Sequence, residues 1–444
     1  MTNRHHIPAL ILALATLPLV AQNGQDLTVQ GTASSAPLVL SYADAIARAQ
    51  KNELQFLSAK TDLGLAHQDK VQARATLLPT LSYNTSFLYT QPNGTPSGVF
   101  IANNSVHEYL SQGNAHEIIN LAGGQLQDLK KARAMEMAAR AKLEIASRGL
   151  VVTVAQNYFG LAAAQRKYAT AQTALAEAQR FLDLSKKLEQ GGEVAHSDTI
   201  KAQIQFYDRE KGMQDAQILL ESAHLALAVI VFPNFEQNFT VAEDLELAPT
   251  LPSTEEIQTM ASKNNPDLAA AKATLAAATA DVWSARSGHF PTLTMDYWYG
   301  IDSDHFASRN PDGTRNLGHA FAATLEIPIW SWGATQSKVK QAELNRDRSK
   351  AEFAFAQREF AANLQLFYHE ATTAQGQLDL LRHSFELASE GLRLTTLRYQ
   401  AGEATVLEVV DAQNTLTTVH DAYDDAQAHY RIAIAQLQTL TGAF

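Results

Sequence analysis

The spacing of apolar residues changes from helical to alternating at two places along this chain. Helical spacing runs over residues 41–77 and 253–286, and Pro79 and Pro291 follow. Proline has no backbone N–H and its ring clashes with the preceding turn, so each helix must end there. Beyond each proline every second residue is apolar or aromatic, which is the period of a β-strand with two different faces. The pattern therefore predicts a helix followed by strands, twice.

The alternation defines three strands clearly, over 81–90, 293–301 and 321–329. A fourth strand is expected near 106–120, where the alternation is poor and does not fix the ends. Strands of about 10 residues with one apolar face are typical of a membrane barrel. Half-buried strands of a soluble sheet show the same period. The pattern alone leaves both interpretations open.

Two very long stretches then consist almost entirely of helix formers. Residues 124–190 and 333–400 contain no proline, and a rise of about 1.5 Å per residue makes each helix about 100 Å long. Helices of this length need coiled-coil partners along their sides. Glycines at Gly192 and Gly402 predict tight turns, after which shorter helices run back to about residues 232 and 441.

The second half of the chain repeats the first at an offset of 210 residues. Gln190, Gly192, Glu193, Ala202 and Gln203 recur as Gln400, Gly402, Glu403, Ala412 and Gln413. An offset held over such a span predicts two fused copies of one structural unit. We divide the chain into a first repeat at 39–235, a linker at 236–252 and a second repeat at 253–444. Each repeat has the order helix, two strands, long helix, shorter helix.

The N-terminal residues have the features of an export signal. Residues 1–21 resemble a secretory signal peptide, with one arginine, an apolar run and a small residue at the expected cleavage site. Residues 22–38 are polar and predict a flexible segment. No other uninterrupted apolar stretch of membrane-spanning length is expected. The net charge of −11 argues against a nucleic-acid partner, and the absence of cysteine excludes disulfides and thiolate metal sites.

Four strands per chain are too few to close a barrel. Lipid cannot satisfy the open edge of a sheet, so membrane strands must close into a ring. Two chains of four strands would give 8 strands and a barrel filled by side chains, whereas three chains would give 12 and leave a pore. If the strands lie in a membrane, several chains share one barrel, which the long helices extend as a coiled-coil barrel.

Several segments resemble the TolC-like outer-membrane efflux protein family, also called outer membrane factors. The most specific likeness covers 397–416, including Arg398, Tyr399 and Gly402, and further likenesses cover 263–268 and 327–333. The resemblance implies a homotrimer with a 12-stranded barrel in outer-membrane lipid and a helical barrel in the periplasm. It also implies an inner-membrane transporter and a periplasmic adaptor as partners.

The resemblance also suggests roles for residues beside the two turns. Asp198, Glu408 and Asp411 would form acidic rings at the periplasmic entrance, and Arg398 and Tyr399 would hold that entrance shut. Local alternatives exist, because Thr405-x-x-Glu408 is a capping box and an acid at Asp198 favours the helix dipole. Arg398 and Tyr399 could equally lie on an exposed helix face. The expected adaptor-contact tips are Gly192, Glu193, Val194, Gly402, Glu403 and Ala404.

The sequence predicts no catalytic site. The 14 histidines form no ligand cluster, and no nucleophile–base arrangement or phosphate loop is present in the sequence. We therefore expect no enzyme, no cofactor and no metal site. The predicted function is an outer-membrane exit duct for a tripartite efflux or type I secretion system. The alternative is an exported coiled-coil protein with a structural or adhesive role in the envelope.

Overall fold

The computed structural model describes residues 38–89, 107–234, 238–242, 245 and 251–442. The predicted signal peptide, and the flexible segment apart from its last residue, lie outside the described residues. The first repeat contains β1 (Leu38–Leu40), α1 (Tyr42–Asn52), α2 (Leu54–Ala75), β2 (Thr80–Tyr89), β3 (His107–Asn120), α3 (Gly124–Gln190), α4 (His196–Val231) and β4 (Phe239–Val241). The second contains α5 (Thr254–Asn264), α6 (Pro266–Ser287), β5 (Thr292–Ser303), β6 (Leu317–Glu326), α7 (Ala334–Gln400) and α8 (Val406–Thr441).

The long helices match the sequence prediction closely. Both α3 and α7 contain 67 residues, and both α4 and α8 contain 36. Helix α3 packs against α4 as one hairpin, α7 packs against α8 as another, and α3 also packs along α8. The equal lengths follow from the two proline-free stretches and the glycine turns that end them.

The helices that open each repeat were each predicted as one element, and this prediction was wrong. The first breaks at Glu53, which is extended (ψ 127°) and whose carboxylate accepts hydrogen bonds from the N–H groups of Gln55 and Phe56. The second breaks at Asn265, which is extended (ψ 116°) and caps α6 by accepting from the N–H of Leu268. Proline disfavours helical geometry in the residue before it, so Pro266 causes the second break.

Four strands form one antiparallel sheet in the order β2-β3-β5-β6. The pairing of β3 with β5 joins the two repeats, and Asp296 lies opposite His116 with Oδ1 and Nδ1 2.8 Å apart. Within the described residues, the outer edges of β2 and β6 pair with no other strand. Strand β6 ends at Glu326, so Ile327 and Ile329 were wrongly placed in a strand; Pro328, which cannot donate to a ladder, lies between them.

The apolar face of this sheet is exposed along the chain. Leu81 is 81% exposed, Tyr83 is 71% exposed and Phe321 is 65% exposed. A half-buried soluble sheet would cover these side chains with other parts of its own fold. Within this chain, the arrangement instead leaves an apolar surface and two open edges.

A second, smaller sheet was not predicted. Strand β1 pairs in parallel with β4, which lies inside the predicted linker, and Leu38 stands opposite Phe239. The buried hydroxyl of Tyr158 donates to the carbonyl of Leu40 at 2.9 Å. The small sheet thus fastens the start of the first repeat and the segment after α4 to the middle of α3.

One helix bears on the expectation about membrane spans. Among the described residues, α4 is long and apolar enough to cross a membrane by length and composition alone, with most of its apolar window exposed. Glu221 lies in the apolar half of this helix, so the sequence shows no uninterrupted apolar stretch there.

Candidate functional site

The two turns predicted as tips have the same backbone geometry. Gly192 and Gly402 adopt left-handed φ values of 76° and 75°. The N–H of Glu193 donates to the carbonyl of Leu188 at 2.9 Å, and the N–H of Glu403 donates to that of Arg398 at 2.8 Å. The N–H groups of Gly192 and Gly402 donate to the carbonyls of Glu189 and Tyr399. Together these bonds form Schellman motifs at the ends of α3 and α7.

Both turns lie at the same end of the molecule. A buried apolar cluster joins them: Phe181 and Leu182 of α3, Ala202 of α4, Tyr399 of α7, and Val406 and Val409 of α8. Gly192, Glu193, Gly402 and Glu403 are exposed beyond this cluster, while Val194 and Ala404 are half-buried beneath them. The structure therefore places the predicted tips together as the exposed end of two packed helical hairpins.

Tyr399 connects the two hairpins. Its side chain is buried, its ring centroid lies 5.2 Å from that of Phe181, and its hydroxyl lies 3.3 Å from the hydroxyl of Ser185. The exposed-face alternative therefore does not describe Tyr399. Arg398 is exposed and stays within its own hairpin, where it donates to Glu408 at 3.4 Å and to the carbonyl of Glu403 at 3.1 Å.

The three predicted acidic residues have different surroundings. Glu408 completes a capping box with Thr405 at the start of α8. Hydrogen bonds from the backbone N–H and then the hydroxyl of Thr405, followed by the charge of Arg398, lower the pKa of Glu408 below its usual value. Asp198 lies in the first turn of α4, 3.3 Å from Nζ of Lys201. Asp411, one turn into α8, is exposed.

Two of the residues in contact at this end were absent from the sequence prediction. Ser185 and Phe181 lie on α3 and touch Tyr399 from more than 210 positions away in the chain. A serine inside a run of helix formers gives no signal of such a contact. His196, which is close to Asp198 in sequence, lies 2.7 Å from Glu189 of α3 instead.

A cleft of 660 Å³ lies beside the cluster, between α3, α7 and α8. Its lining mixes apolar side chains with charges, including Glu177, Arg180, Leu184, Arg393 and Leu397. Among the described residues, no group of three histidine, aspartate or glutamate side chains is arranged to hold a metal ion.

The fold defines the class of protein first. The outer membrane protein VceC from Vibrio cholerae has a similar structure, with a TM-score of 0.79, 18% identity and coverage of 90% of this chain and 96% of that one. CusC matches with a TM-score of 0.76 and 19% identity over 97% of this chain and 99% of that one. These likenesses show that the chain has the same fold as these two outer-membrane channel proteins.

The sequence comparison then gives the family. The profile of the family described as "Outer membrane efflux protein" matches residues 45–231 and 258–443. Outer membrane protein TolC of Vibrio cholerae serotype O1 is 25% identical over 418 residues, covering 93% of each chain. The chain belongs to the outer membrane efflux protein family, which confirms the resemblance found in the sequence, the predicted efflux function and the outer-membrane location.

Proposed function

We propose that three copies of this chain form an exit duct across the outer membrane. The observation that carries the proposal is a four-stranded sheet with an exposed apolar face and open edges at β2 and β6. Lipid cannot form hydrogen bonds with the backbone groups of an open strand edge, so β6 of one copy pairs with β2 of the next. Three copies give a 12-stranded barrel whose apolar face contacts lipid and whose interior is wide enough for a pore.

The helical hairpins extend this duct into the periplasm. A 67-residue helix reaches about 100 Å from the sheet. In the trimer the hairpins of neighbouring copies lie side by side, because isolated helices of this length need lateral partners. The division into repeats at 39–235 and 253–444 is supported by the equal helix lengths and by the two segments that the family profile matches.

The duct performs no chemistry and depends on partners for energy. Relatives include the cobalt-zinc-cadmium resistance protein CzcC of Cupriavidus metallidurans, 24% identical over 67% of this chain and 69% of its own length. We assign to this chain a periplasmic adaptor and an inner-membrane transporter as partners. The exposed apolar sheet face gives no support to the alternative of a structural or adhesive coiled-coil protein.

The end with the two turns is the proposed entrance. Asp411, Glu408 and Asp198 surround the axis there. Tyr399 ties the α7–α8 hairpin to α3 in the closed position through Ser185, and Arg398 supports this by bracing the turn of its own hairpin. The exposed turns are the proposed adaptor contacts. This assignment is supported by the shared geometry of both tips and by the charged cleft beside them.

The assembly prediction tests the proposed function directly. The mature protein, extracted in a mild detergent and measured by light scattering, should have three times the mass of one chain, because the strand edges pair only between copies. Leu81→Glu, on the exposed apolar face, should reduce membrane insertion, whereas Ser82→Glu on the opposite face of the same strand should be tolerated. A conducting monomer would contradict the shared barrel.

The tip prediction separates docking from folding. A Cβ added at Gly402 or Gly192 meets no atom of the chain within 4 Å, and asparagine tolerates left-handed φ. The double variant Gly192→Asn with Gly402→Asn should therefore fold and insert normally, but its added side chains should obstruct the adaptor and abolish export. Gly376→Asn, in an open position of α7, is the control. Equal losses of insertion and export in the double variant would show that the tips act in folding.

A further inference from the structure

A polar seam lies between two apolar contacts of α8 with α3. Near the turns, Val406 and Val409 of α8 pack into the cluster with Phe181 of α3. Towards the other end, Ala428 and Ala435 pack among buried residues of α3. Between them, the α8 positions from 414 to 427 meet α3 and α4 largely through polar and charged side chains, which we call the seam.

Asp424 is the most buried charged residue of the seam. It is 1% exposed, and its Oδ1 lies 3.6 Å from Nη1 of Arg166. Nδ1 of His420 lies 3.9 Å from Oδ2 of Asp424 and 2.6 Å from the hydroxyl of Thr170. Oδ2 of Asp424 is buried and accepts no hydrogen bond. A carboxylate in this position loses its hydration, and the contacts that replace the water offset this loss only in part.

Other charges surround this carboxyl group on each packed helix. Asp421, one turn before, is half-buried and is influenced by Lys167 of α3 and Arg209 of α4. Lys167 also lies 2.7 Å from Asp425, whose side chain is largely exposed. Helix α7 contributes the ring of Phe385, 4.7 Å from that of His420. The charged groups that act on Asp424 are therefore His420, Arg166 and Asp421, and those that act on Asp421 are Lys167, His420, Asp425 and Arg209.

We propose that the seam is a proton-linked latch, in which Asp424 and Asp421 take up protons as α8 docks against α3. A helix that moves away from α3 returns both carboxyl groups to water, where they ionise without penalty. A docked helix buries them, and the neutral form suits that setting better. Docking and proton uptake therefore favour each other.

The direction of the pH effect follows from the burial of the two groups. Loss of solvent raises the pKa of Asp424 above its usual value, although His420 and Arg166 oppose this, and it likewise raises the pKa of Asp421. An ionised carboxyl group thus weakens the docked state at a pH above the raised pKa; this penalty decreases as the pH falls below the raised pKa and is absent below the ordinary pKa of the undocked group. Acidification should tighten the α3–α8 contact, and alkaline conditions should loosen it.

Amide hydrogen exchange in the detergent-solubilised full chain tests the latch without requiring conduction. After correction for intrinsic rates, protection of residues 414–427 should rise as the pH falls from above the raised pKa values towards the ordinary aspartate range near about 4, by up to about tenfold for each unit of pKa difference between docked and undocked states. Asp421→Asn with Asp424→Asn should give high protection that no longer varies with pH. Asp215→Asn, an exposed carboxylate of α4, should retain the wild-type behaviour.

The outcomes separate this proposal from the proposed duct. A pH-independent wild type, or an unchanged pH response in the double variant, would overturn the latch even if the trimer forms and conducts. If the double variant fails to fold, Asp421→Asn alone should reduce the pH response, and an unreduced response would overturn the latch. The consequence for gating, in which an acidic periplasm favours the closed entrance, rests on the proposed function.

Discussion

Gly300→Ala is expected to destabilise the sheet strongly, whereas Gly318→Ala on the adjoining strand should leave it intact. Gly300 lies in β5, opposite Gln112 of β3 and Gly318 of β6. A Cβ at Gly300 would stand 2.3 Å from the carbonyl oxygen of Ser111 and 2.4 Å from Cα of Gln112. Both atoms belong to the backbone of β3, so the strand that joins the two repeats must shift.

Gly318 provides the matched control for this substitution. A Cβ at Gly318 meets nothing within 4 Å, and alanine is otherwise more favourable than glycine in a strand by about 0.5–1 kcal/mol. Overpacking at Gly300 should instead destabilise by about 1–3 kcal/mol or more. Heat resistance of the assembled protein on denaturing gels is the measurement. Equal heat resistance of the two variants would mean that β3 and β5 have space that the structure does not show.

Removing the acidic charge at the entrance should change ion selectivity strongly. Asp411→Asn with Glu408→Gln should reduce cation preference and relieve block by multivalent cations from the periplasmic side in a planar bilayer. Three copies would bring six carboxylates to one narrow axis, and like charges in a constriction attract cations. Glutamine at 408 can still complete a capping box, so the helix should begin as before.

Asp198→Asn is the control for this prediction. Lys201 lies 3.3 Å from Asp198 and offsets its charge, so its removal should change selectivity little. Trimer formation should be unaffected in every variant. Unchanged block and selectivity in the double variant would place Glu408 and Asp411 away from the axis, with Glu408 serving only as a cap.

The long elements could be predicted from the sequence because local chemistry defines them. The bounds of α3 and α7 were predicted nearly to the residue, because both stretches lack proline and end at glycine turns. The bounds of β2 and β5 were predicted nearly as well from the strict alternation after Pro79 and Pro291. The break at Asn265 was missed, although Pro266 directly after it is a local signal for a helix end. The break at Glu53 was hidden, because glutamate is a good helix former and acts there through its capping side chain.

Contacts between distant segments could not be predicted in the same way. Strands β1 and β4 have three residues each and lie about 200 positions apart, too short for periodicity to reveal. Tyr399 was singled out, but its partner Ser185 has no local signature. Sequence pattern reports which face of an element is apolar, whereas the partner of that face depends on how the two repeats pack together.

Duplication has a consequence for the charge around the proposed entrance. A ring built from six identical hairpins would carry the same charge on each hairpin. Here the offset of 210 aligns Asp198 with Glu408, but it aligns Lys201 with Asp411. The α3–α4 hairpin is thus neutral at these two positions, while the α7–α8 hairpin carries two negative charges. In the proposed trimer, fusion of two copies into one chain would make neutral and acidic hairpins alternate around the entrance, which a ring of identical subunits of half this length could not do.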